Sequence, residues 1–305
     1  MRVLVIGLGT IARKHLQALK ELQPEAEVFA LRSRLNSPVT PGVTNLYDLS
    51  QAATLKPSFV LLTNPTNLHE PILRQVLPWG VPVFIEKPVL TTPDTAPALL
   101  AQIREKPVLT YVGCNLRFLE GLEFVKKWLS AEGRRVLEVN VYCGSYLPDW
   151  RPGQDYRKFY SARPEMGGGA HLDLIHEIDY VYWLFGPPRS VDRLLRSASD
   201  IDIEAVDYAN YRLVYPGFVV NVTLNYYRRD YRRTLEVLTT NTTITLDLAT
   251  NELRDDQGEI LFSSDQRITD TYLKQMTHFL TLLQTGAPAE NDLATGVAVL
   301  RLTTG

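Results

Sequence analysis

A lysine stands in the stretch "FIEKPV", Phe84 to Val89, directly behind an apolar run and directly before a proline. Pro88 disfavours helical geometry at Lys87 and holds it extended, which puts the ammonium at the end of a buried strand. A histidine with carboxylates close by stands in "AHLDLIHEIDY", where Asp173, His176 and Asp179 recur every three residues. On a helix, residues three or four apart share a face, so Asp173, His176 and one of Asp179 or Tyr180 line a common edge, and a histidine oriented by a carboxylate is common equipment for general acid–base work. "HEIDY" opens like the zinc helix H-E-x-x-H, but Tyr180 occupies the second ligand position, so no metal site is expected. A third group lies in "SYLPDWRPGQDYRKFYSARPEM", which carries Trp150, Arg151, Tyr156 and Tyr160. Flat aromatic faces among cations suit a polyhydroxylated, anionic ligand, because rings stack and arginine grips carboxylate or phosphate in a bidentate fork. A loop packed on its own aromatics is the equal alternative. Gly167, Gly168 and Gly169 are followed by no Gly-Lys-Ser/Thr, so they serve a tight turn rather than a phosphate loop.

The elements that must position these groups come in two kinds. In the first third, apolar β-branched runs ("RVLVI", "EVFAL", "FVLLT", "VPVFI", "PVLTYV") alternate with helical segments. That alternation implies a parallel sheet with right-handed crossovers. After the first run comes Gly7-Leu-Gly9-Thr10-Ile11-Ala12, a G-x-G-x-x-A where a strand turns into a helix. Gly7 allows the turn, Gly9 lets backbone approach a pyrophosphate, Ala12 keeps helix and strand close, and the helix N-terminus offers free N–H groups. Ligands of such sheets lie outside the carboxyl ends of the strands. Three further strand ends carry polar chemistry at that edge: Thr63-Asn64-Pro65, Glu86-Lys87-Pro88 and Asn115-Leu116-Arg117. The second strand ends in Arg32-Ser33-Arg34, with no carboxylate to accept from a ribose 2′-hydroxyl. Two guanidinium groups and a hydroxyl suit a 2′-phosphate, which favours NADP over NAD.

Beyond Arg117 the period changes from helical to two. "VLEVNVYC", "YANYRLVY", "FVVNVTLNYY", "RTLEVLTT" and "TTITLDL" alternate apolar and polar residues, the pattern of half-buried antiparallel strands. The fold class expected is α/β: a doubly wound Rossmann domain over residues 1–117, then an α+β domain with an open-faced, mainly antiparallel sheet over 118–305. A helix around 272–283 is expected to cover part of that second sheet. The formal net charge of −2 over 305 residues gives no electrostatic reason for a nucleic acid or anionic membrane partner. "YYRRDYRR" at 226–233 interleaves aromatics with arginines as single-strand binders do, but one short stretch in a slightly acidic chain is weak grounds for that reading. Cys114 and Cys143 are too few for a disulfide framework. No apolar run is long enough to span a bilayer, and "MRVLVIG" lacks the features of a signal peptide, so a cytoplasmic location is expected.

The sequence resembles the glucose–fructose oxidoreductase / inositol dehydrogenase (Gfo/Idh/MocA) family. The resemblance rests on G-x-G-x-x-A followed by Arg13-Lys14-His15, "TNPTNLH" at 63–69, "EKP" at 86–88 and "GGGAHLDLIHEID" at 167–179. It implies hydride transfer between NAD(P) and a secondary alcohol of a sugar, sugar acid or nucleotide sugar, in a homodimer or homotetramer. Lys87 matches the lysine of the family's EKP and His176 its second-domain histidine. Asp173 is three residues from His176 where the family usually has four. Thr63, Asn64, Pro65, His69, Glu86, Lys87 and Asn115 are expected around the cofactor, and Lys87, Arg117 and His176 with the aromatic segment around the substrate. That segment also looks like the branch associated with bacterial surface-sugar or nonulosonate pathways. A non-catalytic dinucleotide sensor of the same fold is the alternative, but a sensor has no need of both Lys87 and His176.

Overall fold

The computed structural model describes residues 1–131 and 133–305. The chain divides into two compact units: residues 1–114 with 272–301, and residues 115–271 with 302–305. The first contains β1 (Arg2–Ile6), α1 (Thr10–Leu22), β2 (Glu27–Leu31), β3 (Val43–Leu46), α2 (Leu49–Thr54), β4 (Phe59–Leu62), α3 (His69–Val76), β5 (Val83–Ile85), α4 (Ala96–Glu105) and β6 (Thr110–Val112). Its sheet runs β3-β2-β1-β4-β5-β6 with every pairing parallel, the doubly wound order that opens a crevice where the strand sequence reverses beside β1. Central strands are buried on both faces, so β1 and β4 are apolar almost throughout. Helix α1 turns Ala12, His15, Ala18 and Leu19 inward, an apolar stripe with a histidine set into it.

The second unit contains α5 (Glu120–Leu129), β7 (Val136–Tyr146), α6 (Ala170–Asp173), α7 (His176–Phe185), β8 (Ser190–Arg196), β9 (Tyr208–Tyr215), β10 (Phe218–Asn225), β11 (Tyr227–Thr239), β12 (Thr243–Asp247), β13 (Glu252–Asp255) and β14 (Ile260–Ser263). Its sheet order is β14-β13-β12-β11-β7-β10-β9-β8; β7 and β10 run parallel and the other neighbours antiparallel. Alternation gives the sheet two characters. Val139, Val141, Val220, Val222, Leu235 and Val237 are buried on one face with Ile178 and Val181 of α7. The opposite face is polar: Asn140 donates to Glu236 (2.8 Å) and Asn221 to Asn140 (3.1 Å).

Two expectations are corrected. First, the helix expected to cover the second sheet, α8 (Thr271–Thr285), packs on the first. Met276, Phe279, Leu280 and Leu282 join Val3, Val5, Phe59, Phe84 and Tyr111 in one core. The Phe279 ring meets Phe59 at 5.0 Å, Phe84 at 5.2 Å and Tyr111 at 5.4 Å between centroids. Asn291, before α9 (Leu293–Thr304), donates to the Val112 carbonyl at 2.5 Å. The first unit is therefore closed by the chain's far end, and residues 115–117 fall in the second. Second, Asp173 and His176 do not share one continuous helix. α6 ends at Asp173, Leu174 leaves it at φ −95° and ψ 25°, and α7 starts at His176.

Phe279→Ala removes a ring that three aromatic neighbours touch, a change that costs about 3–5 kcal/mol in such cores. The expected readout is an earlier unfolding transition for the first unit in denaturant. A loss below about 1 kcal/mol would mean that α8 is not part of that core.

Candidate functional site

The carboxyl edge of the first sheet is built by close approach. Gly7 has φ +95°, and a Cβ there would lie 2.4 Å from the Asn64 nitrogen; only glycine permits that conformation and contact. Thr63 Oγ1 donates to the Gly7 carbonyl at 2.6 Å, so the ends of β1 and β4 are tied together. A Cβ on Gly9 would meet nothing within 4 Å, which leaves open space over the first turn of α1, where Thr10 is exposed and Ile11 half-buried. Two polar atoms at this edge are buried without hydrogen-bond partners: Arg32 Nη1 after β2 and Asn64 Oδ1 after β4. Ser33 and Arg34 are exposed. The glycine cradle and the unpartnered guanidinium nitrogen fit a dinucleotide with phosphate at the helix N-terminus and a further acceptor near Arg32.

Glu86 and Lys87 follow β5. Glu86 is buried, with Oε1 accepting from His15 Nε2 at 2.6 Å and Oε2 accepting the Lys87 backbone N–H at 3.1 Å. The glutamate expected near the cofactor thus turns inward and braces the loop. Lys87 itself is half-buried, and its peptide bond to Pro88 is cis. His69, fully buried, places Nε2 3.0 Å from the Asn64 carbonyl and Nδ1 3.1 Å from the Val89 carbonyl. It clamps the loops that carry Pro65 and Lys87 and is no surface ligand. Burial lowers its pKa against the pull of both carbonyls.

In the second unit, charge burial organises the helix that starts at His176. Arg117 Nε donates to Asp179 Oδ2 at 2.9 Å and Nη2 to Oδ1 at 2.6 Å, with both side chains nearly sealed from water. The fork expected to grip substrate is engaged by a carboxylate of α7. Arg233 is likewise closed on Glu177, at 2.6 and 3.1 Å. Burial alone would weaken the guanidinium's charge, and Glu177 more than restores it. Beside them the Cys143 thiol is pushed to about 12 by burial and then by Glu177, which makes it inert filler. Asp173 Oδ2 accepts from Ser161 Oγ at 2.5 Å and from Tyr226 OH at 3.0 Å. Those bonds tie the end of α6 to the loop before it and to the residue between β10 and β11. His176, at the start of α7, is half-buried.

The aromatic segment divides. Tyr156 OH donates to the Ile201 carbonyl and Tyr160 OH to the Gly167 carbonyl, both at 2.7 Å, so these hydroxyls serve the loop. Arg151 lies over the Phe159 ring at 4.5 Å. Trp150 is 38% exposed and lines a cavity of about 420 Å³. Asn115 Nδ2 donates to Thr271 Oγ1 at 2.7 Å, inside the second unit.

Residues 1–114 match the oxidoreductase family with NAD-binding Rossmann fold, GFO_IDH_MocA. Residues 134–245 match the GFO/IDH/MocA C-terminal domain. The chain belongs to the Gfo/Idh/MocA oxidoreductase family. It is similar to a myo-inositol 2-dehydrogenase of Thermotoga maritima, 24% identical over 310 residues, 94% of this chain and 90% of that one. Among solved structures, the UDP-N-acetylglucosamine 3-dehydrogenase GnnA from Acidithiobacillus ferrooxidans superposes at TM-score 0.80 with 19% identity, over 99% of this chain and 95% of that one. The WlbA dehydrogenase from Bordetella pertussis, in complex with NADH and UDP-GlcNAcA, superposes at 0.83 with 22% identity, over 99% and 94%. At these identities the structures share the fold.

Sequence reasoning missed both ion pairs on α7, although one signal was available. Arg233 has the same strand parity as the buried Leu235 and Val237, and an inward arginine demands a carboxylate. Removing one partner of such a pair typically costs about 3–5 kcal/mol, because the other charge stays buried alone. Glu177→Ala is therefore expected to be strongly destabilised, and adding Arg233→Met to recover much of the loss. Equal stability of the single and double variants in denaturant melts would show that the pair is not the constraint on α7.

Proposed function

We propose that the protein transfers a hydride between NADP and a secondary alcohol of a sugar, sugar acid or nucleotide sugar, with Lys87 and His176 as its proton-handling groups. The observation that carries this reading is the arrangement of "EKP". Both oxygens of Glu86 are engaged, by His15 and by the Lys87 backbone, so the loop presents its lysine from a braced strand end at the edge where the glycine cradle lies. The nicotinamide, when bound, supplies the hydride acceptor for oxidation and the donor for reduction. In the oxidative direction Lys87 or His176 takes the hydroxyl proton, and in the reductive direction the same group returns it to the oxygen. In ketone reduction a charged Lys87 also stabilises developing negative charge on that oxygen. Asp173, held by Ser161 and Tyr226, acts as a positioning residue in the segment that leads to His176. The named activities of relatives, on inositol and on a UDP-sugar, support the substrate class. A place in bacterial surface-sugar biosynthesis rests on the aromatic segment alone.

The preference for NADP rests on Arg32, whose buried Nη1 has no partner, with Ser33 and Arg34 exposed beside it. Charge-assisted hydrogen bonds from these groups suit a 2′-phosphate.

Lys87→Ala is expected to lower kcat/KM by about 100- to 10,000-fold, the span of acid–base contributions, with dinucleotide Kd changed by only a few fold. His176→Ala is expected to behave similarly. Retention of more than half the parent activity by either variant would remove that residue from the proton path. The ratio of kcat/KM with NADP to that with NAD is expected to exceed one and to collapse in the Arg32→Ala, Arg34→Ala double variant. A parent enzyme that prefers NAD would refute the cofactor assignment.

A further inference from the structure

The cavity of about 420 Å³ lies wholly within the second unit, bounded by β7, by the turn at residues 147–150 and by β11. Its size is that of a small-molecule site. Its floor is Cys143, Leu174 and Arg233, all buried, and Leu174 stands two residues before His176. Its walls are unusual for a protein surface. Trp150 and Tyr231 remain 38% and 51% exposed there. Trp150 is nonetheless fixed, by an Nε1–H bond to Ser145 Oγ (3.0 Å) and an edge contact with Tyr226 at 5.3 Å.

The charges on this cavity sort by partner. Arg233 is neutralised by Glu177. Arg229, two positions before Tyr231 on the same side of β11, stands over the Tyr146 ring at 3.9 Å. No carboxylate among the described residues lies within ion-pair distance of it. Its guanidinium plane is held by the ring while its donors are unassigned, the state in which arginine takes a carboxylate or phosphate bidentately. The rim also carries Asp149, an exposed carboxylate. It would repel an anion placed beside it, and it is suited to accept from sugar hydroxyls. A cation and a carboxylate that do not pair with each other, between two exposed aromatic faces, ask for a ligand with an anionic end and a hydroxylated body.

We propose that this cavity is a subsite for a sugar ring bearing a carboxylate or phosphate, with the anion on Arg229, ring hydroxyls toward Asp149 and Ser145, and the ring face against Trp150 or Tyr231. The assignment rests on the sugar dehydrogenase reading and narrows its substrate class to anionic sugars.

The test is equilibrium binding to the full-length protein, by calorimetry, of D-glucuronate, glucose 1-phosphate and D-glucose. One or both anionic probes are expected to bind about tenfold or more tightly than glucose, a step of about 1.4 kcal/mol. Tighter glucuronate marks a carboxylate ligand, and tighter glucose 1-phosphate a phosphorylated one. Arg229→Met is expected to abolish that advantage, Arg229→Lys to keep part of it, and Asp149→Asn not to weaken the anionic probes. Dinucleotide affinity is expected to stay within about twofold in all three, since a separate unit holds the glycine cradle. The proposal is overturned if no probe binds, if glucose binds as well as the anions, or if Arg229→Met binds them like the parent. Because binding requires no turnover, a protein that binds the anions yet never oxidises or reduces a sugar would refute the dehydrogenase reading and leave the subsite standing.

Discussion

Glu86 is taken out of water at the end of β5, and the arrangement of the dinucleotide edge follows from what that burial requires. A carboxylate in the interior is tolerated only with hydrogen-bond donors around it. The two it has are His15, on the inward stripe of the helix that starts at the glycine cradle, and the backbone N–H of Lys87. One buried group thus fixes the glycine-bearing helix against the lysine-bearing loop. The next strand yields to it as well. A Cβ at Gly113 would lie 2.7 Å from Glu86 Oε1, so that position has no room for a side chain while the carboxylate stays. His69 stands in a similar place one loop away, its ring nitrogens 3.0 and 3.1 Å from the Asn64 and Val89 carbonyls, of which the neutral ring donates to one. An edge made of separate loops is held as one frame by two buried imidazoles.

The second unit solves a related problem with arginines. Arg117 and Arg233 each close a bidentate pair on α7, with Asp179 and with Glu177. Buried pairs contribute little net stability against well-packed apolar groups, but they tolerate few alternative arrangements. Their consequence here is geometric. Asp179 ties α7 to the segment after β6, and Glu177 ties it to β11. His176 is the first residue of that doubly anchored helix. The chain just before it is held by Asp173 through Ser161 and Tyr226, so the histidine sits between two fixed points rather than within a uniform helix.

The parts of this fold that were legible are those whose signal is local. The continuous apolar strands, the glycine turn after β1 and the alternating strands of the second sheet each announce themselves within a few residues. The rest depended on partners far along the chain. The apolar stripe of α8 says that it covers something, but not which sheet, and the three aromatics around Phe279 lie in β4, β5 and β6. The break after Asp173 is invisible in "AHLDLIHEIDY", and so are the partners that hold Asp173 there, hydroxyls 12 and 53 residues away. β8, "SVDRLLR", has no clean alternation because most of it is exposed, so it carries no strand signal. Arg117 looked like a ligand grip because a strand-end arginine and a buried one have the same sequence context.

The segment "YYRRDYRR" shows how far strand parity can correct composition. As a block it is a basic, aromatic run of the kind that suggests nucleic acid. As the start of β11 its cations are divided between the two faces of one sheet. Arg228 and Arg232 stand over Tyr142, beside the polar face, while Arg229 and Arg233 line the cavity on the other side. On that side depth decides their fates. The deeper arginine keeps its charge out of water, which is tolerated only beside a protein carboxylate, and Glu177 supplies it. The shallower one stays in reach of water, which removes the need for an internal partner, and Tyr146 holds it over an aromatic face instead. Two arginines four residues apart on one strand face are thereby separated by solvation alone, the buried one fixing the fold and the solvated one left able to recognise an anion.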